Sequence, residues 1–396
     1  MATADSIFEL SPASPPPAVD LLVLVAAMLP ENFEALLTNL TAVLPVEGML
    51  IATESPAPAH LHRELRIVAA PPANSAWSLT AVNFLYASQL AQEHQARGIL
   101  LLGPGSESLR PGGLALLANG VLTGSIDLAS PRYALPPHAG MINSAILYPL
   151  TRALFASRAR FPLAIDMGLS PRMAQRLANA AQRFAQPEQP EALLWPVSEA
   201  AVAGFAVDEF DVGARALPQP AEADINTILA RVTGSLFADI EQKAVYWQRA
   251  RRAPAPRRTM ADSPATDGAA DVPRMVEAYR LAYNNLLEIW SLVLPPHSLL
   301  GLKRLSQMSA ADFRMPDGLW ARIVYDFLVA YRLRTINRGH LLGALIPLYL
   351  GWVAGHINLT TAGTSAETHI EAVAAAFEAD KPYLVSRWRW PDRFNA

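Results

Sequence analysis

The first candidate position for chemistry lies in GILLLGPGSESLRP, residues 98–111. Its apolar run predicts a buried strand, which ends directly in Gly103, Pro104 and Gly105 and is followed by Glu107. In an open α/β sheet, ligands bind beyond the carboxyl ends of the strands. The turn is therefore expected at a ligand-binding position, although its two glycines have no side chain that could bind an ion or a phosphate.

Common catalytic and phosphate-binding motifs are missing from the sequence. The turn after residue 102 lacks the third glycine of a dinucleotide-binding fingerprint, and neither a Walker-type phosphate loop nor a G-x-S-x-G nucleophile turn occurs. The chain has no cysteine, which excludes thiolate metal sites and cysteine nucleophiles. Oxygen and imidazole groups remain as the good metal ligands.

Arginines form a second group of candidates. Arg132 follows the end of a predicted strand, where it could bind a phosphate or form a structural salt bridge. Arg152, Arg158 and Arg160 lie on or near an apolar helix. Arginines bind diphosphates in a bidentate manner and can replace a metal in this role, whereas the alternative for these three is a solvated surface position.

The elements that position these residues alternate between strand and helix in the first half of the chain. Apolar runs predict four strands, over residues 20–28, 48–54, 64–71 and 99–103. Helical spacing predicts helices over residues 31–44 and 75–98. The alternation predicts an α/β fold with a largely parallel sheet and helices on both faces.

A segment rich in Pro, Ala, Asp and Arg, residues 251–273, predicts a linker or long loop. The periodic segments that follow it are all helical. We expect a disordered tail over residues 1–18, an α/β domain over 19–235, and an all-helical domain over 236–396 that contains the flexible insertion 251–273. Four aromatic residues are expected in the core, namely Tyr148, Trp195, Trp247 and Trp320.

The composition limits the class of protein. A chain of 396 residues with 52% apolar residues can form two globular domains, and a formal net charge of -3 gives no reason to expect nucleic acid as a partner. The first twenty residues lack the features of a signal peptide. The longest apolar run, residues 341–354, is interrupted by Pro347 and is shorter than the roughly 20 residues that span a bilayer. We therefore expect a cytoplasmic protein without a transmembrane segment.

Several segments resemble one protein family. The longest is GSIDLASPRYALPPHAGMINSAILYPLTRALFASRARFPLAIDMGLSPRMAQRLA, and the most specific motifs are Tyr148 to Leu154 and Lys381-Pro382-Tyr383-Leu384. In these segments, over roughly residues 20–390, the chain resembles the bacterial GT-A glycosyltransferases related to mannosylglycerate and glucosylglycerate synthases. The resemblance implies a mixed GT-A sheet with helices on both faces, followed by a helical C-terminal domain. It also implies a hexosyltransferase that uses a nucleoside diphosphate sugar and a small acceptor such as glycerate.

The resemblance also indicates which functional residues are lost. The family carries an Asp-x-Asp motif that holds Mg²⁺ or Mn²⁺ against the sugar diphosphate, and its two aspartates align with Gly103 and Gly105. A later metal-binding histidine aligns with Leu217. A phosphate-binding lysine aligns with Asn74, and an Asp-Gly pair aligns with Ala139-Gly140. We therefore expect no metal cofactor.

Asp166 and four substrate-binding residues complete the predicted site. Asp166 aligns with an acidic residue beside the sugar and acceptor, which predicts a catalytic role, the alternative being a helix cap before Ser170. The expected substrate-binding residues are Arg132, Tyr133, Glu107 and Arg152.

Two hypotheses follow from these residues. The chain is either a metal-independent glycosyltransferase or an inactive pseudo-glycosyltransferase that acts as a scaffold, a regulator or a nucleotide-sugar sensor. In the second case the expected protein partner is a second copy of the chain or an active glycosyltransferase.

Overall fold

The structure is a computed structural model that describes residues 17–26, 28–54, 64–72, 75, 77–184, 192–218, 225–250 and 271–390. Most of the predicted tail and of the predicted insertion lie outside these residues, and so does Asn74. The expectations for these parts of the chain remain predictions.

Within the described residues, seven strands form one sheet in the order β3-β2-β1-β4-β6-β5-β7. The strands are β1 (Leu21–Val25), β2 (Met49–Thr53), β3 (Arg66–Ala69), β4 (Gly98–Leu102), β5 (Leu128–Ala134), β6 (Asp166–Leu169) and β7 (Val207–Ala214). Strand β6 is antiparallel to β4 and β5, and all other pairs are parallel. The predicted mixed sheet of GT-A type is confirmed.

Helices cover the sheet. They are α1 (Pro30–Thr41), α2 (Ala81–Glu93), α3 (Pro111–Leu122), α4 (Tyr148–Phe155), α5 (Pro171–Ala181) and α6 (Pro196–Ala203). Strand β4 is buried along its whole length and contacts both α2 and α3, as expected for a central strand. Helix α2 begins later than predicted, because the Asn83 side chain accepts a hydrogen bond from the Thr80 N–H and marks the helix start there.

From residue 225 onward the described residues form helices and no strand, which confirms the predicted helical part. The helices are α7 (Ile225–Gln242), α8 (Ala244–Trp247), α9 (Val272–Val293), α10 (Pro296–Ser306), α11 (Asp317–Leu333), α12 (Arg338–Thr361) and α13 (Ala366–Arg389). Helix α7 continues across residue 235, where the sequence suggested a domain boundary.

Helix α12 differs from the prediction for its sequence. Pro347 lies inside the helix and does not end it, so the element is 24 residues long. Of the helices in the described part of the chain, α12 is the one long and apolar enough to cross a membrane, judged by length and composition. Most of its apolar window is buried inside the protein, which agrees with the expected core position.

The two largest hydrophobic cores of the described residues divide the chain at unexpected points. The core of the sheet includes the strands and α1, α2, α3 and α5. The helical core also takes in residues 141–155, which follow β5, and the Trp320 indole N–H donates to the Ala145 carbonyl at 2.8 Å. The four aromatic residues predicted in the core are all buried. The helical part is therefore built around a segment of the α/β part.

Two buried histidines connect α12 and α13 to the loop after β5. Nδ1 of His356 lies 2.7 Å from Nδ1 of His369. Nε2 of His356 lies 3.3 Å from the Pro137 carbonyl oxygen, and Nε2 of His369 lies 3.2 Å from Oδ1 of Asp317. A neutral imidazole has one N–H group, so His356 can donate from Nε2 to the Pro137 carbonyl while its Nδ1 accepts from Nδ1 of His369. Burial, and after it His369, lowers the pKa of His356 to about 4.

The lowered pKa of His356 predicts a pH-dependent contribution to stability. In the unfolded chain, His356 binds a proton near pH 6.5, whereas in the folded chain it does so only near pH 4. The contribution of the neutral His356 to stability is therefore complete above pH 6.5 and is lost as the pH falls toward 4. The His356→Gln variant keeps a neutral side chain. We expect the difference in unfolding free energy between wild type and this variant to change by about 2 kcal/mol between pH 7 and pH 5, measured by urea unfolding. A difference that does not vary with pH would contradict the assignment.

Candidate functional site

The candidate site lies at the carboxyl end of β4. Because β6 is antiparallel, its first residue, Asp166, pairs with Leu102, the last residue of β4. Tyr133 reaches the same place from β5, and Arg215 follows directly after the end of β7. The topology therefore brings residues from three other segments to the turn Gly103-Pro104-Gly105.

The Asp166 carboxylate is fully buried and hydrogen-bonded on both oxygens. Oδ1 accepts from the Gly103 N–H at 3.1 Å, and Oδ2 accepts from the Tyr133 hydroxyl at 2.8 Å. The Arg215 guanidinium donates to Oδ2 from Nε at 2.8 Å and to Oδ1 from Nη2 at 3.3 Å. Burial, and after it Asp166, raises the pKa of Tyr133 well above its usual range, so the phenol keeps its proton and acts as a donor.

The Arg215 side chain has no exposed surface, and its hydrogen bonds use the whole guanidinium. Besides the two bonds to Asp166, Nη2 donates to the Pro104 carbonyl at 2.8 Å. Nη1 donates to the Ala216 carbonyl at 2.8 Å and to the Ser108 hydroxyl at 3.3 Å. A guanidinium has five N–H groups, and these contacts account for all five. In this arrangement Arg215 has no donor left for a phosphate.

The two glycines of the turn are explained by close contacts, with the Ile165 backbone at Gly103 and with the Arg215 guanidinium at Gly105. A Cβ atom on Gly103 would lie 2.5 Å from the carbonyl oxygen of Ile165. Gly105 has φ of +80°, and a Cβ atom there would lie 2.7 Å from Nη1 of Arg215. The positions that the resemblance assigns to the Asp-x-Asp motif therefore have no space for a side chain.

The residues around the turn do not fit a divalent cation. Such a cation binds anionic and carbonyl oxygens, whereas the group beside Gly105 is a guanidinium with the same sign of charge. Leu217, at the position expected for the histidine, is apolar and lies near Gly140. In the described ranges no group of three or more His, Asp or Glu side chains is arranged to hold a metal ion.

Two of the predicted substrate-binding residues, Glu107 and Arg132, lie beside other groups of the protein. Oε1 of Glu107 accepts from the Asn32 side chain at 2.9 Å, while Oε2 is buried and has no hydrogen-bond partner among the described residues. Arg132 is half-buried and lies near Glu209 on the neighbouring strand β7. Burial raises the pKa of Glu209 to about 7, and Arg132 and Arg160 oppose this shift.

Arg152 lies in the contact between α4 and α13 and is largely buried. It forms ion pairs with Glu371 and Glu378, the latter with an Nε to Oε1 distance of 3.1 Å. Arg160 is also buried and pairs with Glu367 at 2.9 Å. The alternative of a solvated surface position is therefore wrong for both arginines.

The structure brings together Asp166 and Tyr133 from the predicted set, and it adds Arg215, which the sequence analysis missed. One signal pointed to it, because Arg215 lies two residues before Leu217, the position aligned with the lost histidine. Asp166 is the first residue of a strand and is not a helix cap. The cap of α5 is Ser170, whose hydroxyl accepts from the Met173 N–H at 3.2 Å. The functional roles assigned to these residues remain predictions.

Comparisons with known proteins show similarity at the level of fold. No family model and no curated protein matches the chain. Similar crystal structures include glucosyl-3-phosphoglycerate synthase from Mycobacterium tuberculosis with Mn²⁺, UDP-glucose and phosphoglyceric acid. Its sequence identity to this chain is 14%, and the TM-score is 0.39. The match covers 57% of this chain and 80% of that chain. The same enzyme with Mg²⁺ and UDP has 13% identity and a TM-score of 0.38, covering 57% of this chain and 79% of that chain. The fold class therefore rests on the strand order and helices of this chain itself.

The buried ion pair predicts a characteristic pattern of stability. Arg215→Met leaves the Asp166 carboxylate buried without its cationic partner, so we expect a loss of about 3–5 kcal/mol in unfolding free energy. The double variant Asp166→Asn, Arg215→Met removes both charges and should recover part of that loss. Arg97→Met, in an exposed pair with Asp20, is the control and should cost less than about 1 kcal/mol. Urea unfolding of the four proteins measures these differences, and equal losses for the two single variants would contradict the expectation.

The packing at Gly103 predicts a second effect on stability. Gly103→Ala places a Cβ against the Ile165 backbone and should cost about 1–3 kcal/mol. Gly112→Ala in α3 meets no atom within 4 Å and should be neutral or stabilising by up to about 1 kcal/mol. Thermal and urea unfolding compare the two. A Gly103→Ala variant as stable as wild type would show that the turn tolerates a side chain.

Proposed function

We propose that this chain shares the fold of the GT-A glycosyltransferases but is catalytically inactive, and that it works as a scaffold or regulator. The observation that carries the proposal is the buried pair of Asp166 and Arg215. Both side chains have no exposed surface, and every N–H group of the guanidinium is used within the protein.

The chemistry of sugar transfer explains why this arrangement matters. The diphosphate leaving group needs neutralisation of its charge, by a cation or by free donors, and the acceptor hydroxyl needs a base within hydrogen-bond reach. Arg215 has no free donor for the first task, and the carboxylate of Asp166 is enclosed by four N–H or O–H donors. Either role would require the buried ion pair to open, at a cost of several kcal/mol.

A metal-independent hexosyltransferase is the second candidate. Its support is the position of the Arg215 guanidinium, a permanent positive charge beside the turn at the end of β4. In that case Arg215 would have to leave Asp166 and turn toward the diphosphate. Asp166 would then be available as the catalytic carboxylate.

Calorimetry and a turnover assay distinguish the two candidates. UDP-glucose, GDP-mannose and ADP-glucose are titrated into the full chain with Mn²⁺, with Mg²⁺ and with EDTA, and nucleoside diphosphate release is followed with glycerate or 3-phosphoglycerate as acceptor. We expect no release under any condition and no saturable binding at millimolar nucleotide sugar. Binding without turnover would make the protein a nucleotide-sugar sensor.

Sustained turnover would contradict the proposal of inactivity. The Asp166→Asn variant is the matched control because it keeps the size of the side chain and removes its negative charge. Turnover that disappears in this variant, while its circular dichroism spectrum stays native, would assign catalysis to this site. Turnover that is unchanged in the variant would point to a contaminating enzyme.

The proposed protein partner is a second copy of the chain or an active glycosyltransferase, in the cytoplasm. The formal net charge of -3 favours a protein partner over nucleic acid.

A further inference from the structure

A cleft lies far from the sheet, between the last turns of α13 and the residues that follow α8. Its volume is about 430 Å³. Apolar side chains, including Val385 and Trp390, form part of its wall, and Trp390 is 63% exposed. Two basic side chains, Lys381 and Arg389, and one acidic side chain, Glu378, also line it. This combination is suited to a small ligand with an apolar part and a polar or anionic part.

Lys381 is an unusual lysine because its side chain is only 8% exposed and its partners are uncharged. In the described part of the chain, Nζ donates to the Ala250 carbonyl at 2.9 Å and to the Leu154 carbonyl at 3.4 Å. Glu378, one turn earlier on α13, forms its bidentate ion pair with Arg152. Lys381 therefore lines the cleft, and its amine is held by two peptide carbonyls.

The protonation of this amine follows from its surroundings. Burial lowers the pKa of Lys381 to about 8, and Glu378 opposes the shift. At pH 7.5 about a quarter of the molecules then hold the amine in its neutral form, compared with about one in a thousand for an ordinary lysine. A desolvated, partly neutral lysine beside a cavity is the arrangement that forms imines with carbonyl compounds.

We propose that Lys381 is an imine-forming amine and that the cleft binds a small aldehyde carrying an anionic group. The lone pair of Nζ adds to the carbonyl carbon, and the resulting carbinolamine loses water. The carbonyl oxygen leaves with the two amine hydrogens, so the step needs no oxidant or reductant. Arg389 faces the anionic group, and the indole of Trp390 packs against the apolar part.

The chain supplies its own controls, since it has three lysines. Nζ of Lys243 lies 2.8 Å from Oε1 of Glu199 and also pairs with Asp239, so two of its partners are carboxylates. Lys303 is exposed on α10. If solvent exposure determined the reactivity of a lysine with aldehydes, Lys303 would react most. If the cleft determines the reactivity, Lys381 reacts most.

The experiment uses the full chain and pyridoxal 5′-phosphate, a planar aldehyde with a phosphate group. After incubation at pH 7.5, borohydride reduces the imine, and peptide mass spectrometry measures labelling at each lysine. We expect at least tenfold more labelling of Lys381 than of Lys303, with half-maximal labelling near pH 8. Lys381→Arg should abolish this label without changing the circular dichroism spectrum.

Two further measurements test separately whether Lys381 forms the imine and whether the ligand carries an anionic group. Pyridoxal lacks the phosphate group and should label Lys381 at least fivefold less than pyridoxal 5′-phosphate does. Arg389→Met, at an exposed position, should remove that difference. Labelling of Lys303 equal to or above that of Lys381 would overturn the imine site. Equal labelling of Lys381 by both aldehydes would overturn the anionic part of the ligand.

Discussion

The ion pair between Arg215 and Asp166 is the interaction on which the edge of the sheet depends. It links the turn after β4, the start of β6 and the segment after β7, and Tyr133 adds the end of β5. Charges without solvent are tolerated only when their hydrogen-bonding groups are satisfied, and here the donors of Arg215 and both oxygens of Asp166 are used. The position of the guanidinium explains Gly105, because the chain passes close to it there, whereas Gly103 packs against the Ile165 carbonyl next to Asp166.

A second set of buried polar contacts holds the helices against the sheet. Arg152 joins α4 to two carboxylates of α13, and the histidine pair joins α12 and α13 to the loop after β5. The helical core also includes residues 141–155 from the α/β part. The two parts are thus connected through shared apolar packing and shared polar contacts.

The success and failure of the sequence predictions have a common physical basis. Strands β1 and β4 and the helices of the C-terminal half follow from local apolar patterns, which are repeated within each element. The surface alternative for Arg152 and Arg160 failed because their carboxylate partners lie more than 200 residues later in the chain, with separations of 226 and 207. Pro347 did not end α12, since tertiary packing of that helix outweighs the loss of one backbone hydrogen bond.

The sequence by itself determined the fold class, the order of most elements, and the fact that residues 103 and 105 have no side chains for a metal. Only the tertiary structure decided what occupies that place. Arg215 is 49 residues from Asp166 and 111 from Pro104 along the chain. Backbone hydrogen bonds and apolar periodicity are local and can be seen in a sequence. An ion pair at the ends of three strands exists only after the sheet has brought those ends together.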